Sequence, residues 1–284
     1  MASSPFPLWS ACLTTIVCFI VAGALGKRSP MIRDEIDELG HAQRYGYLDG
    51  LRGYLAFAVF LTHTASSAIW YRTGEWVWPD STFYILCGRV PVSLFFMITG
   101  FLFSQKLMMS RSRVNWRRLY LSRLGRLAPL YLFVTTMVFI VVGYVTGWTL
   151  HVAPSELLRG AARWLALGIL GHHDLNGLQQ SWMINPATWT LRYEWTFYAL
   201  LPLLAFFLTT PRFVLVTIVL LALVYGAGLL EPVWVNFLFG IAAAKLKIRY
   251  KTLAGLDGKR AAIVAFICAP SMRNSLGVQV PCPA

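Results

Sequence analysis

The sequence predicts an all-α protein, a polytopic bundle of transmembrane helices. Hydrophobic residues make up 57% of the 284, and the mean hydropathy of +0.59 is too high for an ordinary soluble domain. Several uncharged runs approach the roughly 20 residues that an α-helix needs to cross a bilayer core. These runs are too long and continuous for the strands of a transmembrane barrel.

The net charge of +13 is distributed as in membrane proteins. Lysine and arginine lie mostly in the segments between apolar runs, where they mark cytoplasmic loops. We therefore expect the basic residues to contact the lipid bilayer, and we do not expect nucleic acid as a partner. No C-x-x-C spacing is found among the five cysteines, so nothing indicates a disulfide framework or a zinc site: Cys12, Cys18, Cys87, Cys268 and Cys282.

The first predicted span is residues 8–26, followed directly by Lys27 and Arg28. A secretory signal carries its positive charge before the apolar stretch, so we expect an uncleaved anchor whose C-terminal end is cytoplasmic. A mixed-charge cytoplasmic linker follows over residues 27–48. The second span, about residues 51–69, runs outward, and the third, about residues 83–104, returns.

The strongest charge signal is a basic segment after the third span that contains no acidic residue. Its members are Lys106, Arg111, Arg113, Arg117, Arg118, Arg123 and Arg126. We expect this segment in the cytoplasm. It is suited to anionic lipid headgroups, which stabilise each basic group by about 1 kcal/mol. It is also suited to a phosphate-rich cytosolic donor, because arginine forks match phosphate oxygens.

The fourth span, residues 127–148, runs outward, and no run of spanning length follows it before residue 188. Residues 157–170 are too short for a span and carry Arg159 and Arg163, so we expect an outer-surface or re-entrant helix. The segment His172-His173-Asp174 lies just beyond. It lacks the further ligands that a metal site needs, so we predict no metal and favour a polar loop that contacts a sugar-like substrate.

The segment of residues 185–194 opens the fifth span, which runs to about residue 208, and apolar runs follow at residues 213–230 and 233–244. Basic residues between 245 and 260 mark another cytoplasmic segment. Counting back from that segment places the start of the fifth span outside. Glu194 is then expected in the outer half of the membrane, about one turn below the surface.

Two ionisable residues of the second span form the centre of the predicted site. Arg52 lies eleven residues before His63, almost three helical turns, with a rise of about 16 Å and both side chains on one face. Ionisable groups at membrane depth are costly and indicate a functional site with a partner elsewhere in the chain. Glu194 has a similar predicted depth, although a purely structural pair would satisfy the same pattern.

Four stretches spread over about residues 45–250 follow one pattern. They are Asp49-Gly50-Leu51-Arg52 followed by His63, Leu94-Phe95-Phe96 with Gly100-Phe101-Leu102, the segment Arg123-Leu124-Gly125-Arg126-Leu127-Ala128-Pro129-Leu130-Tyr131, and Trp189-Thr190-Leu191-Arg192-Tyr193-Glu194 with Phe197-Tyr198 and Pro202. With these stretches the chain resembles the acyltransferase 3 family of integral-membrane acyltransferases, whose bacterial members O-acylate surface and exported glycans. Thr99 and Thr190 stand where the family usually has serine, and both keep a hydroxyl.

The resemblance implies transfer of an acyl group, most often acetyl, from cytosolic acyl-CoA to a carbohydrate hydroxyl across the membrane. Acyl-CoA is then a co-substrate, and no cofactor is expected. His63 is implied as general base, because an imidazole that titrates near neutral pH can accept the proton of a hydroxyl. A covalent acyl-histidine intermediate is the alternative to this general-base role. Glu194 would orient His63 or bind the acceptor, and Asp49 would hold Arg52 at the cavity mouth by an i,i+3 pair.

Further residues are implied along the path of the donor. Arg123 and Arg126 would bind its phosphates closest to the membrane, with Arg117 and Arg118 beside them. The expected wall of the cavity includes Ser93, Thr99 and Trp189.

The expected location is the bacterial inner (cytoplasmic) membrane, with several passes. We predict an anchor and linker at residues 1–48, a transferase domain at 49–270 and an irregular tail at 271–284. The family typically has more spans than the six complete ones predicted here, so we expect a C-terminally shortened domain.

Two alternatives stay open. A transporter or flippase would use buried histidine, arginine and glutamate as a relay and would not alter its substrate, but the chain lacks paired, interrupted repeats. The short C-terminus favours an inactive remnant of the family.

Overall fold

The computed structural model describes residues 7–30, 46–110, 114–171, 174–179, 181–209 and 231–249. Over these residues the chain forms α-helices and no β-strand, which confirms the predicted all-α class. The helices are α1 (Leu8–Arg28), α2 (Gly46–Thr73), α3 (Thr82–Met109), α4 (Trp116–Val145), α5 (Pro154–Leu165), α6 (Trp189–Thr209) and α7 (Pro232–Arg249). Two 3-10 helices, Ser181–Ile184 and Pro186–Thr188, precede α6.

Three of the described helices, α1, α3 and α4, are long and apolar enough to cross a membrane. The second and fifth predicted spans are helices too, α2 and α6, but neither meets the same criterion. Their polar groups lower their hydropathy: Thr62 and His63 in α2, and Arg192 and Glu194 in α6. Such groups in a membrane protein normally face other helices or water, not lipid.

Helix α4 begins at Trp116, eleven residues before the predicted start of the fourth span. The side chain of Asn115 accepts a hydrogen bond from the backbone N of Arg118 at 2.9 Å and so caps the helix. Arginine is also a good helix former. Four of the arginines that were expected in a cytoplasmic loop therefore lie on the first three turns of α4: Arg117, Arg118, Arg123 and Arg126.

Several sequence predictions concern residues outside the described part of the chain. They are the linker after residue 30, the pair His172-His173, the span over residues 213–230 and the tail. The domain boundary at residue 270 also falls there.

The described residues divide into two compact units, and the division falls within α3 and α7. The first unit contains α1, α2, α3 up to Gly100, and α7 from Asn236 onward. In this unit the Thr62 hydroxyl of α2 donates to the carbonyl of Tyr84 in α3 at 2.6 Å, and Ala11 of α1 packs in the same buried cluster. These contacts fix α2 against the start of α3.

The backbones of α3 and α7 come close together in the first unit. The rings of Phe96 and Phe237 lie 4.9 Å apart, and a Cβ added to Gly100 would lie 2.5 Å from the carbonyl oxygen of Phe237. Only glycine allows this approach, as at the interfaces of many membrane helices.

Gly100→Ala is therefore expected to lower the free energy of unfolding by about 1–3 kcal/mol, because the added methyl overlaps a backbone carbonyl. The midpoint of thermal unfolding in detergent would measure this. Gly23→Ala in α1 is the matched control, since no atom lies within 4 Å of its added Cβ. Equal midpoints for the two variants would contradict the prediction.

In the second unit, α5 packs against α4. Leu157 and Ala161 of α5 join the buried cluster formed around Val138 and Val142 of α4. At the other end of α5, the carbonyl of Trp164 accepts a hydrogen bond from the Tyr131 hydroxyl at 2.7 Å. The predicted short helix is thus present, with bounds Pro154–Leu165.

The loop beyond α4 is held by the buried side chain of Asn176. Its amide nitrogen donates to the Thr146 hydroxyl at 2.9 Å and to the Thr149 carbonyl at 2.8 Å, while its oxygen accepts from the backbone N of His151 at 3.1 Å. Each polar atom of this amide is satisfied, so the loop forms a fixed cap over the Val145 end of α4.

Candidate functional site

Arg52 and His63 both lie on α2, as predicted. The i,i+3 contact between Arg52 and Asp49 is present, with 3.5 Å from the Arg52 guanidinium to the Asp49 carboxylate. The Arg52 side chain is 21% exposed and that of Asp49 is 46% exposed, so the arginine is the more enclosed partner. An exposed pair of this kind contributes little stability, and its effect is to restrict the arginine side chain.

His63 is partly buried in the C-terminal half of α2. Its ring centre lies 6.2 Å from that of Trp76, in the segment between α2 and α3, with 32° between the planes. The neighbouring Thr62 is anchored to α3 by its hydrogen bond to Tyr84. No pattern in the sequence indicated a contact between Trp76 and the imidazole.

Ser93 and Thr99 are both buried on α3, with 5% and 4% of their surface exposed. Burial of both hydroxyls is compatible with the wall of an internal cavity. That role stays a prediction.

A cluster of charged and aromatic side chains lies where α4 and α6 meet in the second unit. The Tyr198 hydroxyl donates to the Glu194 carboxylate at 3.4 Å. The charged groups of Arg123 and Arg126 lie near the same phenol. One tyrosine therefore connects the carboxylate of the Trp189–Glu194 stretch with the two arginines of the segment that begins at Arg123.

Aromatic contacts fix the position of this tyrosine. The rings of Tyr198 and Phe103 lie 5.1 Å apart, and the Arg123 guanidinium lies 5.0 Å above the Phe103 ring, a cation–π geometry. The Tyr120 hydroxyl donates to the backbone carbonyl of Tyr198 at 3.0 Å. We call these six residues the arginine–tyrosine cluster: Phe103, Tyr120, Arg123, Arg126, Glu194 and Tyr198.

Sequence reasoning found the three charged members of the cluster but not its centre. Tyr198 lies four residues after Glu194, the spacing at which helical side chains meet, and this signal could have identified the pair. No sequence signal joined Phe103 or Tyr120 to the cluster, because both contacts are made between different helices.

The other predicted residues of the second unit lie outside the cluster. Arg117 and Arg118 are exposed on the first turn of α4. Trp189, 38% exposed, meets the ring of Tyr193 edge-on at 5.7 Å. The Tyr193 hydroxyl in turn donates to the carboxylate of Glu231.

Two hydrogen bonds connect the segment after α5 with α6 and α4. The Trp195 indole of α6 donates to the carbonyl of Leu167 at 3.1 Å, and the Tyr131 hydroxyl of α4 donates to the carbonyl of Trp164. The depth of Glu194 in the membrane stays a prediction.

His63 belongs to the first unit and Glu194 to the second. Their predicted meeting in one cavity stays a prediction. In the second unit, Glu194 has Tyr198 as its hydrogen-bond partner.

The chemistry of the arginine–tyrosine cluster follows from its charges. Two guanidinium groups supply donors in the planar geometry that suits phosphate oxygens, and arginine remains charged at any physiological pH. The described residues contain no group of three or more His, Cys, Asp or Glu side chains that could hold a metal ion.

These features define a helical membrane protein with two arginines, a phenol and a carboxylate gathered at the arginine-bearing end of a helix long and apolar enough to span a membrane. Residues 45–269 match the family model described as an acyltransferase domain. The chain belongs to the acyltransferase 3 family and is an acyltransferase, a transferase of groups other than aminoacyl groups. Comparisons with curated proteins and with solved structures each return no match.

Proposed function

We propose that this acyltransferase moves an acyl group from cytosolic acyl-CoA to a hydroxyl of a surface or exported carbohydrate, and that the acyl group is acetyl. We place it in the inner membrane of a bacterium. The observation that carries the donor half of the proposal is the arginine–tyrosine cluster, in which Arg123 and Arg126 share Tyr198 with Glu194. Coenzyme A is a phosphate-rich ligand, and paired arginines bind phosphate through charge-assisted hydrogen bonds.

In the reaction, His63 accepts the proton of the acceptor hydroxyl as its oxygen attacks the thioester carbonyl. The tetrahedral intermediate then collapses and releases coenzyme A as its thiolate, which takes up a proton. The products are an O-acyl ester and free coenzyme A. A general base of this kind typically accelerates such a step by about 10²–10⁴-fold.

Glu194 has a different role here from the one first implied by resemblance. Its hydrogen bond to Tyr198 favours a positioning role at the donor end, where it would orient the phenol that lies near the two arginines. Arg52 is held by Asp49 and lies about 16 Å before His63 on the same face of α2. There it would guide the pantetheine arm.

The direct test uses acetyl-CoA labelled in its acetyl group, added to the cytosolic side of membrane vesicles that contain the protein. Label should enter the carbohydrate fraction and be released by mild alkali, as expected for an O-acyl ester. Transfer of label to protein or lipid alone would contradict a carbohydrate acceptor. Absence of any transfer would contradict acyl-CoA as donor.

Acetyl-CoA is also expected to raise the thermal unfolding midpoint of the purified protein. A ligand at 100 times its Kd stabilises the folded state by about 2.7 kcal/mol, which corresponds to a few degrees for a protein of this size. Coenzyme A without its 3′-phosphate should give a smaller shift if the arginines bind phosphate. No shift with either compound would favour a transporter, which does not need acyl-CoA.

A further inference from the structure

The segment between α2 and α3, residues 74–81, packs onto the two helices that it joins. Its Pro79 is buried. The Trp78 indole lies so close to Gly88 of α3 that a Cβ added there would be 2.9 Å from it and 3.0 Å from the Thr62 methyl of α2. The Arg89 guanidinium lies 5.5 Å above the same indole, a cation–π geometry. These contacts fix the segment against both helices.

Within this segment, Trp76 lies against His63, the residue that follows Thr62 on α2. The two ring centres are 6.2 Å apart, and 32° separates the planes. Aromatic rings in contact are either offset and nearly parallel or edge-on, and this angle is closer to the first arrangement. Offset rings leave part of each face uncovered. Both side chains are also partly exposed, so one ligand can contact both rings.

Tryptophans of membrane proteins often lie at the lipid headgroups, and this role must be distinguished from a role in a site. Trp70 and Trp78 fit the headgroup role, because 46% and 44% of their surface is exposed. Trp76 differs from them, because it is partly buried and its ring lies against an imidazole. Its position beside the proposed general base indicates a role in the site.

The chemistry of a sugar acceptor matches this pair of rings. The proposed reaction brings a sugar hydroxyl to a nitrogen of His63, so the rest of the sugar lies close to the Trp76 ring. A pyranose carries C–H groups on its faces, and these suit the negatively polarised face of an indole. Its hydroxyls lie at the edge of the sugar ring and stay available to the imidazole. Aromatic surface combined with a few placed polar groups is typical of small-molecule sites.

We propose that Trp76 binds the acceptor: one face of a pyranose stacks on its indole while a hydroxyl of the same sugar donates to His63. This inference rests on the proposed function for the role of His63. It narrows the acceptor to a cyclic sugar, because an acyclic polyol has no flat apolar face. Trp78 has the different role of holding the segment in place, together with Arg89.

Sugar binding is measured without acyl-CoA, by the rate at which diethyl pyrocarbonate modifies His63 in the purified full chain. The reagent attacks an unprotonated imidazole nitrogen, and mass spectrometry of the peptides follows each histidine separately. The probes are the methyl pyranosides of glucose, galactose, mannose and N-acetylglucosamine, each compared with acyclic glucitol. A pyranoside at about ten times its Kd should slow the modification of His63 about tenfold, because few sites remain empty. The rate at His151, which is exposed, is the internal control and should not change.

Three variants test the stacking ring. Trp76→Leu should weaken the affinity for the pyranoside by about threefold to tenfold, the contribution of one aromatic contact, and Trp76→Phe should retain most of it. Trp70→Leu is the matched control, because it removes the same side chain from an exposed position on α2 and should leave the affinity unchanged. A cooperative thermal transition shows that each variant is folded. The comparison of pyranosides with glucitol tests stacking in the unchanged chain, whatever the variants do.

Three results would overturn the inference. They are no slowing by any pyranoside, equal slowing by glucitol, and equal affinity in Trp76→Leu and Trp70→Leu. Failure of the proposed function gives a different result. Slowing of the expected kind without transfer of acetyl groups would contradict the acyl-transfer proposal and leave sugar binding at Trp76. Transfer of label to carbohydrate without any slowing would contradict the sugar site alone.

Discussion

Replacing His63 by alanine is expected to reduce acyl transfer by about 10²–10⁴-fold, the contribution of a well-placed general base. The acceptor hydroxyl would then have to lose its proton to water, which is a weaker base. Transfer of labelled acetyl groups to carbohydrate in vesicles measures the effect. The variant should still bind acetyl-CoA, because the arginine–tyrosine cluster is unchanged.

Thr64→Ala is the matched control for this variant. Thr64 is the next residue on α2, and its hydroxyl bonds only to the backbone of its own helix, at Phe60. It should retain activity at equal protein abundance. If His63→Ala transfers acetyl groups as fast as Thr64→Ala does, His63 is not the base. An acyl group found on His63 after rapid quenching would identify the covalent route instead.

Removing both Arg123 and Arg126 is expected to raise the KM for acetyl-CoA by between about tenfold and a hundredfold. Hydrogen bonds to charged groups contribute about 1.5–3 kcal/mol each, so the loss of even one productive contact is measurable. The kcat at saturating donor should change less, because the reacting atoms lie elsewhere. The increase in thermal midpoint with acetyl-CoA should disappear in the same variant.

Two controls separate charge from packing. Arg123 also lies over the Phe103 ring. The double variant Arg123→Lys with Arg126→Lys keeps both positive charges, but it removes the planar guanidinium groups and weakens the contact with the ring. Arg117→Ala with Arg118→Ala removes two exposed charges outside the cluster and should have a smaller effect that decreases with salt. An unchanged KM for Arg123→Ala with Arg126→Ala would refute phosphate binding by this pair.

The helical class and the approximate positions of the described helices could be predicted from the sequence. Apolar runs identify helices because their length is set by the bilayer. The i,i+3 pair of Asp49 and Arg52 was predictable because helix geometry alone brings these residues together. The start of α4 was missed because the basic residues were interpreted as a loop, although arginine favours helices and Asn115 is a good cap.

Contacts between helices could not be predicted in the same way. Tyr120, Phe103 and Tyr198 meet through tertiary packing, which no spacing in the sequence encodes. The depth of Glu194 in the membrane stays a prediction, because counting alternating spans assigns a side of the membrane and does not identify the neighbours of a side chain.

The contact between Gly100 and Phe237 also has a consequence for biosynthesis. The two residues are 137 positions apart in the chain. At a translation rate of about 5–20 residues per second, the ribosome reaches Phe237 roughly 7–27 s after Gly100. During that interval α3 is inserted before its partner exists, and its glycine surface can be covered only by lipid or by the insertion machinery. A newly made chain therefore cannot complete its first unit until nearly all of its described length has been synthesised.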